Sequence, residues 1–241
     1  MESGVMVSAY CLAYNHEKYI RSALEGFVNQ KTNFKYEVIV HDDASTDGTP
    51  QIIAEYAQKY PEIIKPVCQT QNQYSKGVPI ENEIVGPLLK GKYVAICEGD
   101  DYWCDENKLQ RQVDFMEAHP DYSACVHNTL ELDCRTGRQR VKYDASADRD
   151  LTFEDVMDYG SSAFHTSAVF CRREFFRLPE ALCMKQFSDY PRAVYLRLSG
   201  KIHRFKEVMS VYRMFAAGSW TSNNLGDISH ERLMRTQAWT A

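Results

Sequence analysis

With 241 residues, 44% hydrophobic and 25% charged, the chain has the make-up of a globular protein with a sizeable core. A formal net charge of −5 argues against a nucleic-acid binder, so an anionic ligand would need a metal or a few placed cations. No apolar run approaches the ~18 residues of a membrane span, no basic leader precedes the first strand, and the eight cysteines form no Cys-x-x-Cys pair. A reduced, cytoplasmic compartment is the expectation, compatible with contact at the inner face of a membrane. Cys11, Cys97, Cys125 and Cys171 read as small core residues.

In chain order, residues 5–12 read as a strand and 17–30 as a helix, with Tyr19, Ile20, Ala23, Leu24, Phe27 and Val28 at helical spacing. Residues 36–41 form a second strand that runs into Asp42 and Asp43. The Ser/Thr/Asp/Gly-rich stretch 44–48 is a turn, after which Thr49 caps a helix that opens on Pro50. A short strand is predicted over 66–69, a helix over 79–90, a strand over 93–97 and a helix over 108–119, stopped by Pro120. The first half thus alternates strand and helix with short links, the pattern of a mostly parallel sheet covered on both faces.

The second half is less regular. A strand is predicted over 123–128, a hairpin over 130–143 around Thr136-Gly137, and a short helix behind a Thr152/Asp155 capping box that ends near Tyr159. A strand over 163–171, a helix over 190–198 ended by Gly200, and one or two strands over 202–212 complete it. No linker or internal repeat divides the chain. The expectation is one domain over 1–215, with a regular first half (1–101) and a less regular second half (102–215). Residues 216–241 form a tail in which 229–239 reads as a helix, its native end left open.

The chemistry lies at strand ends. Residues 93–97 are an apolar run that breaks into Glu98-Gly99-Asp100-Asp101 and then Tyr102-Trp103. Carboxylates so crowded repel one another as anions, and a hard divalent cation with oxygen ligands is the usual remedy. Asp42-Asp43 and the following Ser45-Thr46-Asp47-Gly48 also serve equally well as bonds to turn amides. Asp189, taken alone, fits a helix cap better than a catalytic acid.

Taken jointly, these features resemble glycosyltransferase family 2. The resemblance is close over residues 5–128: Val7-Ser8, Ala13-Tyr14-Asn15, Gln30, the 42–49 run, Gly91-Lys92-Tyr93 and the acidic block. It is weaker at Ser188-Asp189-Tyr190 and at 208–213. Glu98-Gly99-Asp100-Asp101 resembles a variant of the family's commoner Asp-Ser-Asp-Asp, of a bacterial surface-polysaccharide type.

The resemblance implies an α/β, Rossmann-like GT-A fold, with a mostly parallel central sheet, helices on both faces and a less regular acceptor-side half. It implies transfer of a sugar from a nucleotide-diphosphate sugar, UDP-linked, to a saccharide or lipid-linked saccharide acceptor. Tyr14 would stack on the base, with backbone from Ala13; Asp43 would accept from the base N–H, and Asp42 would support that loop. Asp100 and Asp101 would hold the ribose and a divalent metal, Mn²⁺ or Mg²⁺, with the direct ligand left open. Glu98 takes the first position of the acidic motif, Asp189 would be the catalytic base, and Tyr212-Arg213 would close over the diphosphate.

Two positions depart from the family pattern. Phe215 stands where many relatives have His, and Tyr74 stands where they have the Gly of Asn-x-Gly. Lys76 is a second candidate for the phosphates after Arg213. Tyr102, Trp103 and Trp220 could stack on sugars, with core packing equally open for Trp103. None of the seven histidines has ligand spacing, although His41 and His165 could line the cleft. The competing function is a non-catalytic nucleotide-sugar binder or scaffolding subunit of a polysaccharide assembly.

Overall fold

A computed structural model describes residues 4–143, 146–159, 162–182 and 189–219. Ser188, Trp220 and the helix expected over 229–239 lie outside the described residues. The strands are β1 (Val5–Ala13), β2 (Lys35–Asp42), β3 (Ile64–Cys68), β4 (Tyr93–Ile96), β5 (Tyr102–Trp103), β6 (Tyr122–Asp133), β7 (Gln139–Val141), β8 (Arg149–Leu151), β9 (Phe170–Arg172) and β10 (Lys201–Met214). The helices are α1 (Ile20–Val28), α2 (Thr49–Lys59), α3 (Lys108–Ala118), α4 (Phe153–Tyr159) and α5 (Asp189–Ser199).

One sheet runs through both halves in the order β3-β2-β1-β4-β9-β6-β10-β5, with β7 on β6 and β8 on β10. The pairs β1·β2, β1·β4, β2·β3 and β6·β10 are parallel, while β9 joins β4 to β6 with antiparallel pairing on both sides. Strand order reverses beside β1, whose neighbours β2 and β4 run the same way as itself. Crevices at such reversals, beyond the carboxyl ends of the strands, are where open α/β sheets bind ligands.

Alternation along β1 sets the two faces. Val7, Ala9 and Cys11 pack with Ile20, Leu24 and Phe27 of α1, Ile53 of α2, and Leu109 and Val113 of α3. Tyr10 belongs to the opposite layer with Ile39, Ile96, Val156 of α4 and Leu196 of α5. Helices therefore cover both faces, as the alternating pattern predicts. Cys11, Cys97, Cys125 and Cys171 are buried and unbridged in this core.

Several sequence motifs have purely architectural work. Ser8 Oγ accepts the peptide N–H groups of Lys90 and Gly91 at 2.9 and 2.8 Å, and donates to Glu37 at 2.8 Å. A Cβ on Gly91 would stand 2.4 Å from the Ser8 nitrogen, so only glycine allows that approach. Gln30 accepts from the Leu109 N–H at 3.0 Å and donates to the Asp105 carbonyl at 2.9 Å, tying α1 to the start of α3.

Three expected elements differ. Residues 79–90 are not one helix but a π-turn over Glu81–Val85 followed by a 3₁₀ turn over Gly86–Leu88. Pro87 lacks the N–H that regular helix needs, and Gly86 before it is a poor helix former. The strand expected over 163–171 shrinks to β9, because His165 caps a 3₁₀ turn over Thr166–Ala168. Thr49 is the first residue of α2 rather than its cap: Asp47 Oδ1 accepts the Thr49 N–H at 2.9 Å, while Thr49 Oγ1 accepts the His16 N–H at 2.8 Å. By contrast, the 130–143 hairpin forms as β6·β7, and the Thr152/Asp155 box closes reciprocally at 2.8 and 3.1 Å.

Candidate functional site

The register places the ends of β1, β2 and β4 together. Ala13 lies beside Asp42, and Tyr10 lies beside Ile96. Past β1, Asn15 takes a left-handed backbone at φ 56° and accepts the Thr46 N–H at 2.8 Å, while its own N–H donates to Ser45 Oγ at 2.8 Å. Asp42, 1% exposed, receives both the hydroxyl and the N–H of Ser45, at 2.5 and 3.2 Å. It braces the loop and faces away from solvent. Tyr14 is left 42% exposed at the tip, where its ring is free to meet a flat ligand.

Asp43 is anchored differently. Its N–H donates to the Ala13 carbonyl at 2.9 Å, and its carboxylate accepts the N–H groups of Gln73 and Tyr74 at 2.7 and 3.0 Å. It therefore pins the turn at 72–74, and a carboxylate still keeps further lone pairs for a ligand. Lys76, the second-choice cation, is exposed and donates to Gln71.

Beyond β4 the chain turns tightly. The Gly99 N–H donates to the Leu12 carbonyl at 2.9 Å, and the Asp101 N–H returns to the Glu98 carbonyl at 3.1 Å. A Cβ on Gly99 would lie 2.8 Å from His16 Nδ1 and 3.0 Å from Ile20 Cδ1, so a side chain here would push the turn off β1. The result is a cluster in which carboxylate oxygens of Glu98, Asp100 and Asp101 all lie within 4.8 Å of one another. Asp100 is 7% and Asp101 0% exposed.

Burial, and then the charges of Asp100 and Glu98, push the Asp101 carboxyl well above its usual range against the opposing Arg213. Glu98 is raised by burial, then by Asp100, Asp189 and Glu81. Asp101 Oδ1 accepts the Arg213 N–H at 2.8 Å, whereas its buried Oδ2 has no hydrogen-bond partner. Hard oxygens, crowded negative charge and an orphaned buried carboxylate oxygen fit a divalent cation.

Arg213 serves this turn with main chain and side chain alike. Its guanidinium donates to the Asp100 carbonyl at 2.8 Å and Ser22 Oγ at 3.1 Å, and stacks over Tyr102 at 4.5 Å. That leaves part of its five-donor fork for an anion. Tyr212 stacks on His165 with centroids 4.1 Å apart. Phe215 is buried under the guanidinium of Arg135.

Asp189 opens α5 and is exposed, and its charge is among those raising Glu98, so the second half brings an acid to bear on the first half's cluster. It borders a small pocket with Phe164, Thr166 and Arg192. Arg192 is 2% exposed and donates to Glu81, which also receives the Tyr10 hydroxyl. Of the two readings left open for Trp103, sugar contact and core packing, the structure bears out the core. The residue is 3% exposed, meets Phe27 edge-on at 4.8 Å and donates Nε1–H to the Ser167 carbonyl at 3.2 Å. Sequence spacing gave no weight to Ser22, Glu81 or Arg192, and gave His165 no role beyond lining the cleft; all are brought in by tertiary contact.

Parallel strands ending in acidic loops at a reversal of strand order define an α/β protein whose ligand crevice is lined with carboxylates. The family model Glycosyl transferase family 2 matches residues 8–177, and the chain belongs to that family. An uncharacterized protein of Mycobacterium tuberculosis, Rv1520, is 36% identical over 225 residues, covering 90% of this chain and 61% of the relative. The UDP-Glc:alpha-D-GlcNAc-diphosphoundecaprenol beta-1,3-glucosyltransferase WfaP of Escherichia coli is 31% identical over 128 residues, covering 53% of this chain and 48% of the relative. The chain thus spans about three fifths of the mycobacterial relative. The fold is of the GT-A type: TarS of S. aureus, solved in complex with UDP-GlcNAc, superposes with a TM-score of 0.68 at 18% identity over 97% of this chain and 66% of TarS. Among the described residues, no helix is long and apolar enough to cross a membrane.

Proposed function

We propose that the chain transfers a sugar from a UDP-linked donor to a hydroxyl of a saccharide or lipid-linked saccharide acceptor, with inversion, in the synthesis of a cell-surface polysaccharide. The observation that carries this reading is the cluster of Glu98, Asp100 and Asp101 at the carboxyl edge of the sheet, with Asp189 bearing on it from the other half. The names of the relatives support the reaction class, and WfaP's diphosphoundecaprenol substrate supports a lipid-linked acceptor.

Each residue then has a distinct task. Tyr14 stacks on the base beside the Ala13 backbone, Asp43 accepts from it, and Asp42 holds that loop through Ser45. Asp100 and Asp101, with Glu98 beside them, would hold Mn²⁺ or Mg²⁺, which would supply positive charge against the leaving diphosphate. Arg213 offers its remaining donors to the same phosphates, and Tyr212 lines the approach. Asp189 takes the proton of the acceptor hydroxyl as that oxygen attacks the anomeric carbon. With Asp189 as the one assigned base and no second nucleophile assigned among the described residues, a single in-line displacement, hence inversion, is the simplest course.

The test begins with a panel of nucleotide sugars screened by thermal shift with Mn²⁺, since a bound donor stabilises the chain by mass action. With the donor so chosen, Asp189→Asn should lose transfer by about 10²–10⁴-fold while binding that donor as the wild type does. Transfer by Asp189→Asn at the wild-type rate removes Asp189 from the role of base. A wild-type chain that binds a donor but never releases nucleoside diphosphate to any acceptor or water is a binding subunit instead.

A further inference from the structure

His165 reaches the acidic cluster from an element that sequence spacing leaves out. The 3₁₀ turn it caps brings its Nε2 to 3.7 Å from Asp101 Oδ2, the buried oxygen with no hydrogen-bond partner. Oδ1 of the same carboxylate is already held by the Arg213 N–H.

The other ring nitrogen fixes the tautomer. Nδ1 accepts the Ser167 N–H at 3.2 Å and lies 2.7 Å from Ser167 Oγ. A nitrogen that accepts from a peptide N–H carries no proton, so the proton of a neutral imidazole sits on Nε2. The ring is also locked in place. Tyr212 covers it, Ser167 Oγ continues to Ser210 Oγ at 2.8 Å, and Ser210 Oγ to Thr129 Oγ1 at 3.3 Å.

We propose that His165 is a positioning residue that donates Nε2–H to Asp101 Oδ2 and thereby fixes the carboxylate that Arg213 holds from its other side. The separation of 3.7 Å is longer than a made hydrogen bond; contacts of this kind are commonly long before a ligand is bound and shorten in the complex. Nδ1 is committed to Ser167, so His165 supports the cluster from behind and is not itself a cation ligand. The inference rests on the reading of Glu98, Asp100 and Asp101 as a divalent-cation site.

The experiment titrates Mn²⁺ into the chain and follows free ion by electron paramagnetic resonance, for wild type, His165→Leu and His165→Gln. Gln keeps an N–H donor near the position of Nε2, whereas Leu keeps bulk without a donor. Leu should weaken Mn²⁺ binding by about 10–100-fold, the usual effect of losing an outer-shell partner, and Gln should restore most of it. Melting temperatures of the metal-free proteins control for packing. In parallel, ¹⁵N spectra of histidine-labelled, metal-free wild type should show His165 neutral and protonated on Nε2, a readout that needs no variant to fold. An Nδ1–H tautomer, undiminished Mn²⁺ affinity in His165→Leu, or a Gln variant as weak as Leu would each overturn the inference alone. Absence of Mn²⁺ binding by the wild type would overturn it together with the cation-site reading.

Discussion

Replacing Lys108 with methionine should stabilise the protein below neutral pH and flatten the rise of its stability above it. Lys108, the first residue of α3, is 0% exposed; its Nζ lies 4.1 Å over the Trp103 ring and donates to Gln112 Oε1 at 2.6 Å. Burial pushes its pKa down from 10.5 to about 7, only partly opposed by Cys125, Cys97 and Asp105. For a base whose folded pKa is the lower one, the unfolded chain binds the extra proton between the two values. Stability therefore rises with pH across that window and is lost as pH falls through 7.

At 1.36 kcal/mol per unit, a gap of about 3.5 units is worth about 5 kcal/mol below pH 7, falling to about 2 kcal/mol at pH 9. Methionine removes that cost and forfeits the bond to Gln112 and the stack on Trp103, together about 2 kcal/mol. The Lys108→Met variant should thus be more stable than wild type by about 3 kcal/mol at pH 6, with the advantage close to zero at pH 9. Urea unfolding at pH 6, 7.5 and 9 measures the difference directly, and groups common to both proteins cancel. A difference that stays constant across those three pH values refutes the reasoning, because it means Lys108 is equally protonated in folded and unfolded chains.

Two further perturbations follow from the same geometry. Gly99→Ala places a methyl 2.8 Å from His16 Nδ1 and 3.2 Å from Ala13 Cβ; urea unfolding should show a loss of about 1–3 kcal/mol, with Mn²⁺ affinity falling as the turn shifts. Adding His16→Ala should recover part of both losses, and no recovery would mean that the crowding lies elsewhere. Asp155→Ala removes a cap on α4 and the paired bonds from Arg149 at 2.7 and 2.9 Å, for a loss of about 1 kcal/mol in thermal or urea unfolding at pH 7. Arg149 chiefly holds the Asp155 carboxyl down to about 2 from 3.8, so this stability is present above pH 3.8 and disappears as pH falls through 2.

Where the physics is local, sequence and structure agree. Periodicity two in β1 and three to four in α1 depends only on which face meets water, so strands, helices and the parallel first half were readable from the chain. The capping box at Thr152/Asp155 and the hairpin at Thr136-Gly137 are likewise short-range devices. The misreadings occur where several local options are close in energy. Residues 79–90 hold enough helix formers for a helix, yet Gly86-Pro87 breaks it into tight turns. Residues 163–171 are apolar enough for a strand, but His165 can bond back to Ser167 and closes a turn first.

By itself the sequence determined that carboxylates stand at the ends of β2 and β4 on one edge of a parallel sheet, because strand direction and chain order leave them nowhere else. It equally determined that Cys11, Cys97, Cys125 and Cys171 are core, since each sits inside an apolar run. Only the tertiary structure decided what each acid faces. Asp42 is turned inward to Ser45, Asp43 is shared with the 72–74 turn, Trp103 is drawn into the core, and Asp101 lies between the Arg213 peptide and the His165 ring. Those partners are far away in sequence, and no periodicity records a contact made between the first half of the chain and the second.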